Sequence, residues 1–285
     1  MKSIISYPDR GSWGRREWRG NCSGYLIKDI ILQFNPNYFV DVCEGSGTSG
    51  DVCREMGIEY TGLDLNKGFD FTFDYVLSNI KRPADIVFSH PPYADMIKYS
   101  DNIRDTSRCP SIEEFLEKSQ MMLLNQREAT RENGFYMTLI GDQKANGVCR
   151  SYQADFIGMM PKKELVNVCI KTQHNCMSDS VNYSGSFIPI VHEYLIIWKR
   201  KSESLWNICF DIADAYKSKI ASTWRNSIRI VFSKFNGKAT LSQIYEEIEK
   251  VAAHLIKNNT NWKAKIRQVL QRHFISVERG VWSAI

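Results

Sequence analysis

Two short runs of this sequence combine residue types that could do chemistry. In the first, Asp41 lies in the apolar run Tyr38-Phe39-Val40-Asp41-Val42, and the loop Cys43-Glu44-Gly45-Ser46-Gly47-Thr48-Ser49-Gly50 follows. Two glycines let a backbone approach a nucleotide-like ligand, and the N-terminus of a following helix offers free N–H groups. Asp64 comes 23 residues after Asp41, near the end of Glu59-Tyr60-Thr61-Gly62-Leu63-Asp64-Leu65. An acid at the tip of the next strand suits two ribose hydroxyls. The second run is Phe88-Ser89-His90-Pro91-Pro92-Tyr93. Consecutive prolines fix an extended backbone and present carbonyls that no local N–H can satisfy. An aromatic ring beside them can stack on a planar base, and the side chain before them can bond an exocyclic amine.

The elements that must hold these runs read as strands alternating with helices. Leu26, Ile27, Ile30, Ile31 and Phe34 have helical spacing, and Asn35-Pro36-Asn37 ends that helix. Strands are expected at 38–42, 59–65, 84–89 and 134–140, with a closing pair at 165–171 and 192–199. Ser111, with Glu114 three residues on, starts an amphipathic helix to about Arg131. The expected fold is α/β, a mainly parallel Rossmann-like sheet covered on both faces, with ligands at the carboxyl ends of its strands. After Lys201 the pattern changes to helices near 203–220, 223–235, 240–256 and 261–273. A strand–turn–strand follows at 274–282, with Arg279-Gly280 at the tip and Trp282 as its anchor. These are the parts of a winged helix-turn-helix, so domains are expected at 1–202 and 203–285.

The 285 residues are 43% hydrophobic and 24% charged, enough for a real core, so wholesale disorder is excluded. The net charge of +5 is unevenly spread. Residues 201–285 carry 14 Lys/Arg against 7 Asp/Glu, whereas 1–200 carry 23 against 25. A near-neutral body with a basic tail points to an anionic macromolecular partner. No apolar run approaches the roughly 18 residues of a membrane span, and the N-terminus lacks a signal-peptide core. A soluble, cytoplasmic protein with no membrane partner is expected. The eight cysteines form no C-x-x-C pair and stand beside no histidine at zinc spacing, so reduced thiols and no metal site are expected. Cys43 and Cys53 read as small core residues. Asp142 reads equally as a turn residue or as part of a base pocket. His174 and the His192-Glu193 pair suggest no metal, since strand alternation puts Glu193 on the face opposite His192.

The glycine loop alone suits a dinucleotide or S-adenosylmethionine, and the second run separates them. Taken together, Cys43-Glu44-Gly45-Ser46-Gly47-Thr48 and His90-Pro91-Pro92-Tyr93 resemble the motifs of the DNA amino-methyltransferases, which alkylate N6 of adenine or N4 of cytosine. That family's catalytic motif is (Asp/Asn/Ser)-Pro-Pro-(Tyr/Phe/Trp), and its cofactor loop often reads Phe-x-Gly-Ser-Gly-Thr. This chain departs from them at His90 and Cys43. Arg19-Gly20-Asn21-Cys22-Ser23-Gly24, Asp95-Met96-Ile97, Tyr99-Ser100 and Gly141-Asp142-Gln143-Lys144 look like phage and mobile-element members. The resemblance covers about residues 20–200.

It implies S-adenosylmethionine as cofactor and double-stranded DNA as partner. Asn21, Cys22 and Ser23 would hold the methionine end, Asp41 and Gly45, Ser46, Gly47 and Thr48 would cradle it, and Asp64 would take the ribose. Phe69 and Asp70 are candidates for the adenine edge. Tyr93 would stack on a flipped base, while the Pro91 carbonyl and His90 accept its amine hydrogens, with Pro92 completing the catalytic motif. Neutral imidazole accepts through one nitrogen and imidazolium cannot, so activity is expected to fall as pH drops through the His90 pKa. The interval between the motifs leaves no room for a separate recognition domain. Recognition is therefore expected from 94–110, including Lys98 and Arg104, from 143–190, or from the tail, where Lys263, Lys265 and Arg267 share a basic helix. Adenine N6 is the favoured target because it is the more frequent one among the resembling enzymes. Cytosine N4, RNA or protein substrates stay open, as does a DNA-binding regulator silenced by His90. A nuclease partner and a homodimer are equally open.

Overall fold

The computed structural model describes residues 1–174, 187–202 and 224–283. They belong to two compact units divided between residues 208 and 209. In the first unit the chain runs β1 (Ile4–Ser6), α1 (Gly24–Phe34), β2 (Tyr38–Asp41), α2 (Thr48–Glu55), β3 (Glu59–Gly62) and β4 (Ala84–Ser89). It continues with α3 (Ile112–Ala129), β5 (Thr130–Ile140), β6 (Gln143–Ala145), β7 (Val148–Arg150), α4 (Tyr152–Met159), β8 (Leu165–Thr172) and β9 (His192–Lys199).

Seven of these strands form one sheet in the order β1-β8-β9-β5-β4-β2-β3, and β9 alone runs against the rest. The short apolar runs of β2 and β4 suit the middle of such a sheet, where both faces are covered. All four residues of β2 are buried. On one face, Leu26, Ile27 and Ile30 of α1 and Val52 and Cys53 of α2 pack on Phe39, Phe88, Met137 and Ile197. On the other, Phe115, Met122 and Leu123 of α3 and Tyr152 and Phe156 of α4 pack on Tyr136, Ile196 and Trp198. Met137 and Tyr136 lie on opposite faces because side chains alternate along a strand.

The strand order reverses beside β2. The chain goes outward from β2 to β3, then crosses back so that β4 lies on β2's other side. In open α/β sheets the crevice at such a reversal, off the carboxyl ends of the strands, is where ligands bind. Asp41 pairs in register with Phe88, so the loops after β2 and β4 leave the sheet side by side.

Four elements of this unit, β1, β6, β7 and α4, were not anticipated from the sequence. β1 is a three-residue edge strand with one buried side chain, too short for any periodicity. The β6–β7 hairpin turns at Asn146 and Gly147, both with positive φ; Asn-Gly is a turn signal that the sequence did carry. α4 follows directly, its N-terminus bonded to Asp142, whose carboxylate accepts from Ser151 Oγ at 3.3 Å and Gln153 N at 3.4 Å. Asp142 therefore organises a helix start.

The second unit comprises α5 (Trp224–Lys234), β10 (Lys238–Thr240), α6 (Leu241–Val251), α7 (Ala253–Lys257), α8 (Trp262–His273), β11 (Ile275–Glu278) and β12 (Val281–Ser283). Its strands form an antiparallel sheet in the order β10-β12-β11. Ile228, Val231 and Phe232 of α5, Ile244 and Ile248 of α6, and Ile266, Val269 and Leu270 of α8 form its core. Trp282 packs against that core. Thr240 and Gln243 make a reciprocal capping box at the start of α6. The helix expected at 203–220 lies outside the described residues. No described helix is long and apolar enough to cross a membrane.

A buried ion pair ties α3 to the turn just ahead of β8. Arg127 donates to Glu164 from Nε at 2.8 Å and from Nη2 at 2.7 Å, and Tyr136 Oη and the Lys201 N–H also donate to that carboxylate. Removing one partner of a buried pair strands the other charge, so Arg127→Met is expected to cost about 3–5 kcal/mol in urea unfolding of the full chain.

Candidate functional site

The loop after β2 turns sharply because Gly45 and Gly47 take positive φ, 54° and 92°, a region that side chains with a Cβ avoid. Gly47 then becomes the N-cap of α2. Three contacts hold the loop. The Gly45 N–H donates to Asp64 Oδ2 at 2.9 Å, Ser46 Oγ donates to Asn21 Oδ1 at 2.8 Å, and the Arg15 N–H donates to Ser46 Oγ at 3.1 Å. Beneath it, Asp41 accepts from the Cys43 N–H at 2.9 Å and from Ser49 Oγ at 2.6 Å. Burial pushes the Asp41 carboxyl up to about 7, against the pull of those hydrogen bonds.

A cavity opens between this loop and the one after β4, with about 860 Å³ of empty space when the part open to solvent is included. Of the residues singled out from the sequence, Asn21, Cys22, Asp41, Gly45, Thr48, Asp64, Asp70, His90, Pro92 and Arg104 line it. Five carboxylates face it, those of Asp41, Glu44, Asp64, Asp70 and Asp105, against the single guanidinium of Arg104. Glu44 is in turn paired with Lys67. Two hydroxyls in the wall, Thr48 Oγ1 and Thr106 Oγ1, are buried with no hydrogen-bond partner among the described residues. A buried hydroxyl without a partner is costly, and a polar ligand in the cavity would relieve both.

Several expected contacts fall elsewhere. Ser23 is the N-cap of α1, accepting from the Tyr25 N–H, and it does not line the cavity. Ser46 spends its hydroxyl on Asn21 and Arg15, so it holds the loop to the N-terminal segment. Phe69 is buried in the core with Tyr38, Val40 and Val76; Phe71, two residues on, reaches the cavity in its place. Cys43 is half-buried and lines the cavity, unlike Cys53, which is a core residue as expected. Gly47 caps α2 and Tyr93 packs against Gly141, and neither lines the cavity; Pro91 is buried, and Lys98 is exposed away from the lining.

The loop after β4 is braced from below and from the side. Ser89 Oγ bonds Gln126 Oε1 of α3 at 3.1 Å and Thr138 Oγ1 of β5 at 2.9 Å, fixing the residue before His90. His90 Nε2 lies 2.8 Å from Tyr93 Oη, and Tyr93 Oη donates to Glu193 Oε1 at 2.7 Å. Lys171 Nζ donates to the other Glu193 oxygen at 2.7 Å. Burial alone would push the Glu193 carboxyl up, but Lys171, His90 and the hydrogen bonds from Lys171 and Tyr93 hold it at about 2. Burial pushes His90 below its ordinary value of 6.5, against the opposing pull of Glu193. Tyr93 is packed so closely on Gly141 that a Cβ there would lie 2.7 Å from its ring.

Glu193 and Lys171 were missed from the sequence. Glu193 does oppose His192 on β9, as alternation requires, but the face it takes leads to His90. Its signal was an acid at the head of the apolar run Tyr194-Leu195-Ile196-Ile197-Trp198. Asp105 was also missed. It is buried, accepting from the N–H and Oγ of Ser100 at 2.9 Å and from the Ser107 N–H at 2.9 Å, so it folds the segment 94–110 onto the cavity wall. The N-terminal arm is a third omission. Trp18 lines the cavity with Arg15 over its ring, and the Gly14 N–H donates to Asp51 of α2.

In the second unit, Lys263 and Arg267 are exposed one turn apart on α8. Arg267 Nη1 donates to Tyr245 Oη at 2.9 Å, and Lys263 Nζ lies over the Tyr245 ring at 5.4 Å. Lys265 is half-buried and donates to Gln268. Among the described residues no group of three or more His, Cys, Asp or Glu side chains could hold a metal ion. His174 instead bonds Ser6 and Thr172, and His192 bonds Tyr194.

No protein-family model and no curated protein matches the chain. Solved structures do. A Thermus thermophilus protein assigned as a DNA modification methylase, solved with S-adenosyl-L-methionine, is 17% identical over 47% of this chain and 54% of its own, with a TM-score of 0.33. TrmN from Thermus thermophilus is 11% identical over 64% and 50%, at 0.36. An S-adenosylmethionine-dependent methyltransferase from Archaeoglobus fulgidus is 12% identical over 64% and 96%, at 0.39. The match spans about half the length of the first of these. At such scores the chemistry has to be argued from this chain's own residues.

The two orphan hydroxyls provide a first check on the cavity. Thr48→Val keeps the shape and removes an unpaired buried hydroxyl. It is expected to stabilise the ligand-free chain by about 1 kcal/mol in thermal unfolding while weakening binding of a nucleoside ligand measured by calorimetry.

Proposed function

We propose that this chain is an S-adenosylmethionine-dependent DNA methyltransferase acting on the exocyclic amine of a flipped base, adenine N6. The observation that carries this reading is the continuity of one acidic cavity. It begins at the Gly45 loop between Asp41 and Asp64 and ends at His90 and Pro92. The carboxylates of Asp64, Asp70 and Asp105, joined by Asp41 once it ionises, outnumber the Arg104 guanidinium, so they attract a cation that also carries ribose hydroxyls and repel the pyrophosphate of a dinucleotide. The buried Thr48 and Thr106 hydroxyls give the cofactor's polar groups two partners, so the residues present fit it.

In this reading Asn21, Cys22, Asp41, Gly45 and Thr48 surround the methionine end, Asp64 takes the ribose, and Asp70 with Phe71 flanks the adenine. When bound, the cofactor supplies an electrophilic methyl group on its sulfonium sulfur. His90 and the Pro91 carbonyl accept the hydrogens of the target amine, which leaves its nitrogen lone pair directed at the methyl carbon. Tyr93, held by His90 and Glu193, offers its ring to the flipped base.

The second unit supports DNA as the partner. Its order of helix, strand, two helices, a third helix and a closing hairpin is compatible with a winged helix, with α8 as recognition helix. We assign this role to residues 203–285 and the catalytic role to 1–202. Lys263 and Arg267, with Lys265 beside them, would meet phosphates, as would Lys98 and Arg104 next to the catalytic motif.

A filter assay with labelled cofactor and DNA, RNA or protein tests the reaction, and single-molecule sequencing of DNA from expressing cells tests base and site. Label on DNA adenine is expected. Label confined to cytosine, RNA or protein, or no label at any pH, overturns the corresponding part of the reading. Asp64→Ala is expected to weaken cofactor binding, and Tyr93→Ala to spare binding while abolishing transfer; the reverse pattern overturns the site.

The pH dependence has two expected parts. Asp41 ionises as pH rises through about 7, so affinity for the cationic cofactor should strengthen across that range and lose the dependence in Asp41→Asn. The turnover rate should stay level down past 6.5 and fall only below it, where His90 becomes imidazolium and loses its acceptor. Replacing Lys263 or Arg267 with Gln should reduce the salt slope of DNA binding by about 0.9 for each phosphate no longer neutralised.

A further inference from the structure

Three charged or polar groups behind His90 form a relay that no sequence motif contains. Glu193 comes from β9, Lys171 from the neighbouring β8, where the two residues are register partners, and Tyr93 from the loop after β4. Glu193 and Lys171 are buried, with 6% and 9% of their surfaces exposed. A carboxylate accepts only, and an ammonium donates only. With Lys171 on Glu193 Oε2, Oε1 takes the Tyr93 O–H at 2.7 Å. The single hydroxyl hydrogen of Tyr93 is engaged in its bond to Glu193, so toward His90 its oxygen has only a lone pair to offer. At 2.8 Å the contact must then be His90 Nε2–H donating to Tyr93 Oη.

We infer that Glu193 is a positioning residue that, through Tyr93, holds His90 as the Nε2–H tautomer and leaves Nδ1 as the acceptor for the substrate amine. This deepens the proposed function and rests on it for the identity of the amine. It also explains how a histidine can stand where an oxygen acceptor is otherwise used. An oxygen accepts in any orientation, whereas an imidazole accepts at one nitrogen only when something else holds its proton at the other. The geometry supplies that holder. Around the ring stand Glu193 and Lys171 from β9 and β8, Tyr93 from its own loop, and Cys43 from the loop after β2, whose thiol lies by the His90 backbone N–H. Of these, only Tyr93 reaches a ring nitrogen among the hydrogen bonds of the described residues.

The sharpest test is Glu193→Gln, which changes one oxygen for an NH2 at constant shape. Lys171 then takes the amide oxygen, and the NH2 must donate to Tyr93 Oη. Tyr93 turns its O–H to His90 Nε2, and the ring proton moves to Nδ1. Nitrogen-15 NMR of histidine-labelled full-length protein reads this directly, with His90→Asn assigning the His90 signals. The expected result is Nε2–H in the native chain and Nδ1–H in Glu193→Gln. Nδ1–H in the native chain, or no change in the variant, overturns the inference.

If Glu193→Gln does not fold, Lys171→Met provides the same reading. Without the ammonium the buried Glu193 takes up a proton as pH falls and its O–H donates a hydrogen bond to Tyr93 Oη; Tyr93 turns its own O–H to His90 Nε2, and the tautomer switches. An Nε2–H tautomer unmoved by pH in that variant overturns the inference.

In the transfer assay, Glu193→Gln should lower kcat by on the order of 10²–10⁴-fold with cofactor affinity unchanged. In a His90→Asn background, where the acceptor is an oxygen, it should have little further effect. The NMR result does not depend on turnover. A tautomer switch with no methyl transfer to any substrate would uphold the relay and overturn the proposed reaction.

Discussion

The pairing of β2 with β4 is the constraint on which everything else depends. Because Asp41 lies opposite Phe88, two loops more than forty residues apart in the chain leave the sheet as neighbours. A slip of one residue would turn every side chain of β4 to the other face. Phe88 would then leave the α1–α2 core, and the bracing of Ser89 by Gln126 and Thr138 would be lost. The apolar packing on both faces therefore fixes the spacing of the chemical groups. The glycine loop and the proline motif touch where the Cys43 thiol lies by the His90 backbone N–H, and the sheet between them fixes that approach.

The cavity that results is unusual in its balance of charge. Carboxylates crowd it from the loop after β2, the end of β3, the stretch leading to β4 and the segment 94–110. Four of the five are held by uncharged donors of the chain itself: Ser49 and the Cys43 N–H for Asp41, Gly45 and Asn66 for Asp64, Thr72 for Asp70, and Ser100 and Ser107 for Asp105. These bonds spread the charge without cancelling it, whereas Glu44 is paired with Lys67. The site's selectivity for positive ligands is thus a property of the wall as a whole, and only part of it comes from residues near the glycines.

What could be read from the sequence was local. Gly45–Thr48 and His90–Tyr93 were legible because turn geometry and proline stereochemistry act within a few residues. The helices around Leu26 and Ser111 were legible because an apolar stripe or a cap is a short-range pattern. Glu193 and Lys171 were not, because their meaning arises from partners 22 and 100 residues away; Asp105 bonds its near neighbours Ser100 and Ser107, and only the fold places it on the cavity wall. Strand alternation correctly put Glu193 opposite His192, yet it could not say which face held the chemistry. Ser23, Ser46 and Phe69 show the converse: residues next to a motif were drawn into it, when a helix cap, a loop tie and a core position had prior claim on them.

The N-terminal arm has a bearing on time as well as on structure. Trp18, Gly20, Asn21 and Cys22 form one wall of the cavity, and the arm is clasped to the rest by Gly14 on Asp51, Arg15 on Ser46 and Ser46 on Asn21. Each of these bonds runs from the arm to the loop after β2 or to α2, and two of the three are part-buried. That side of the cavity, although it stands first in the chain, therefore takes its place only once residues 46–51 have folded.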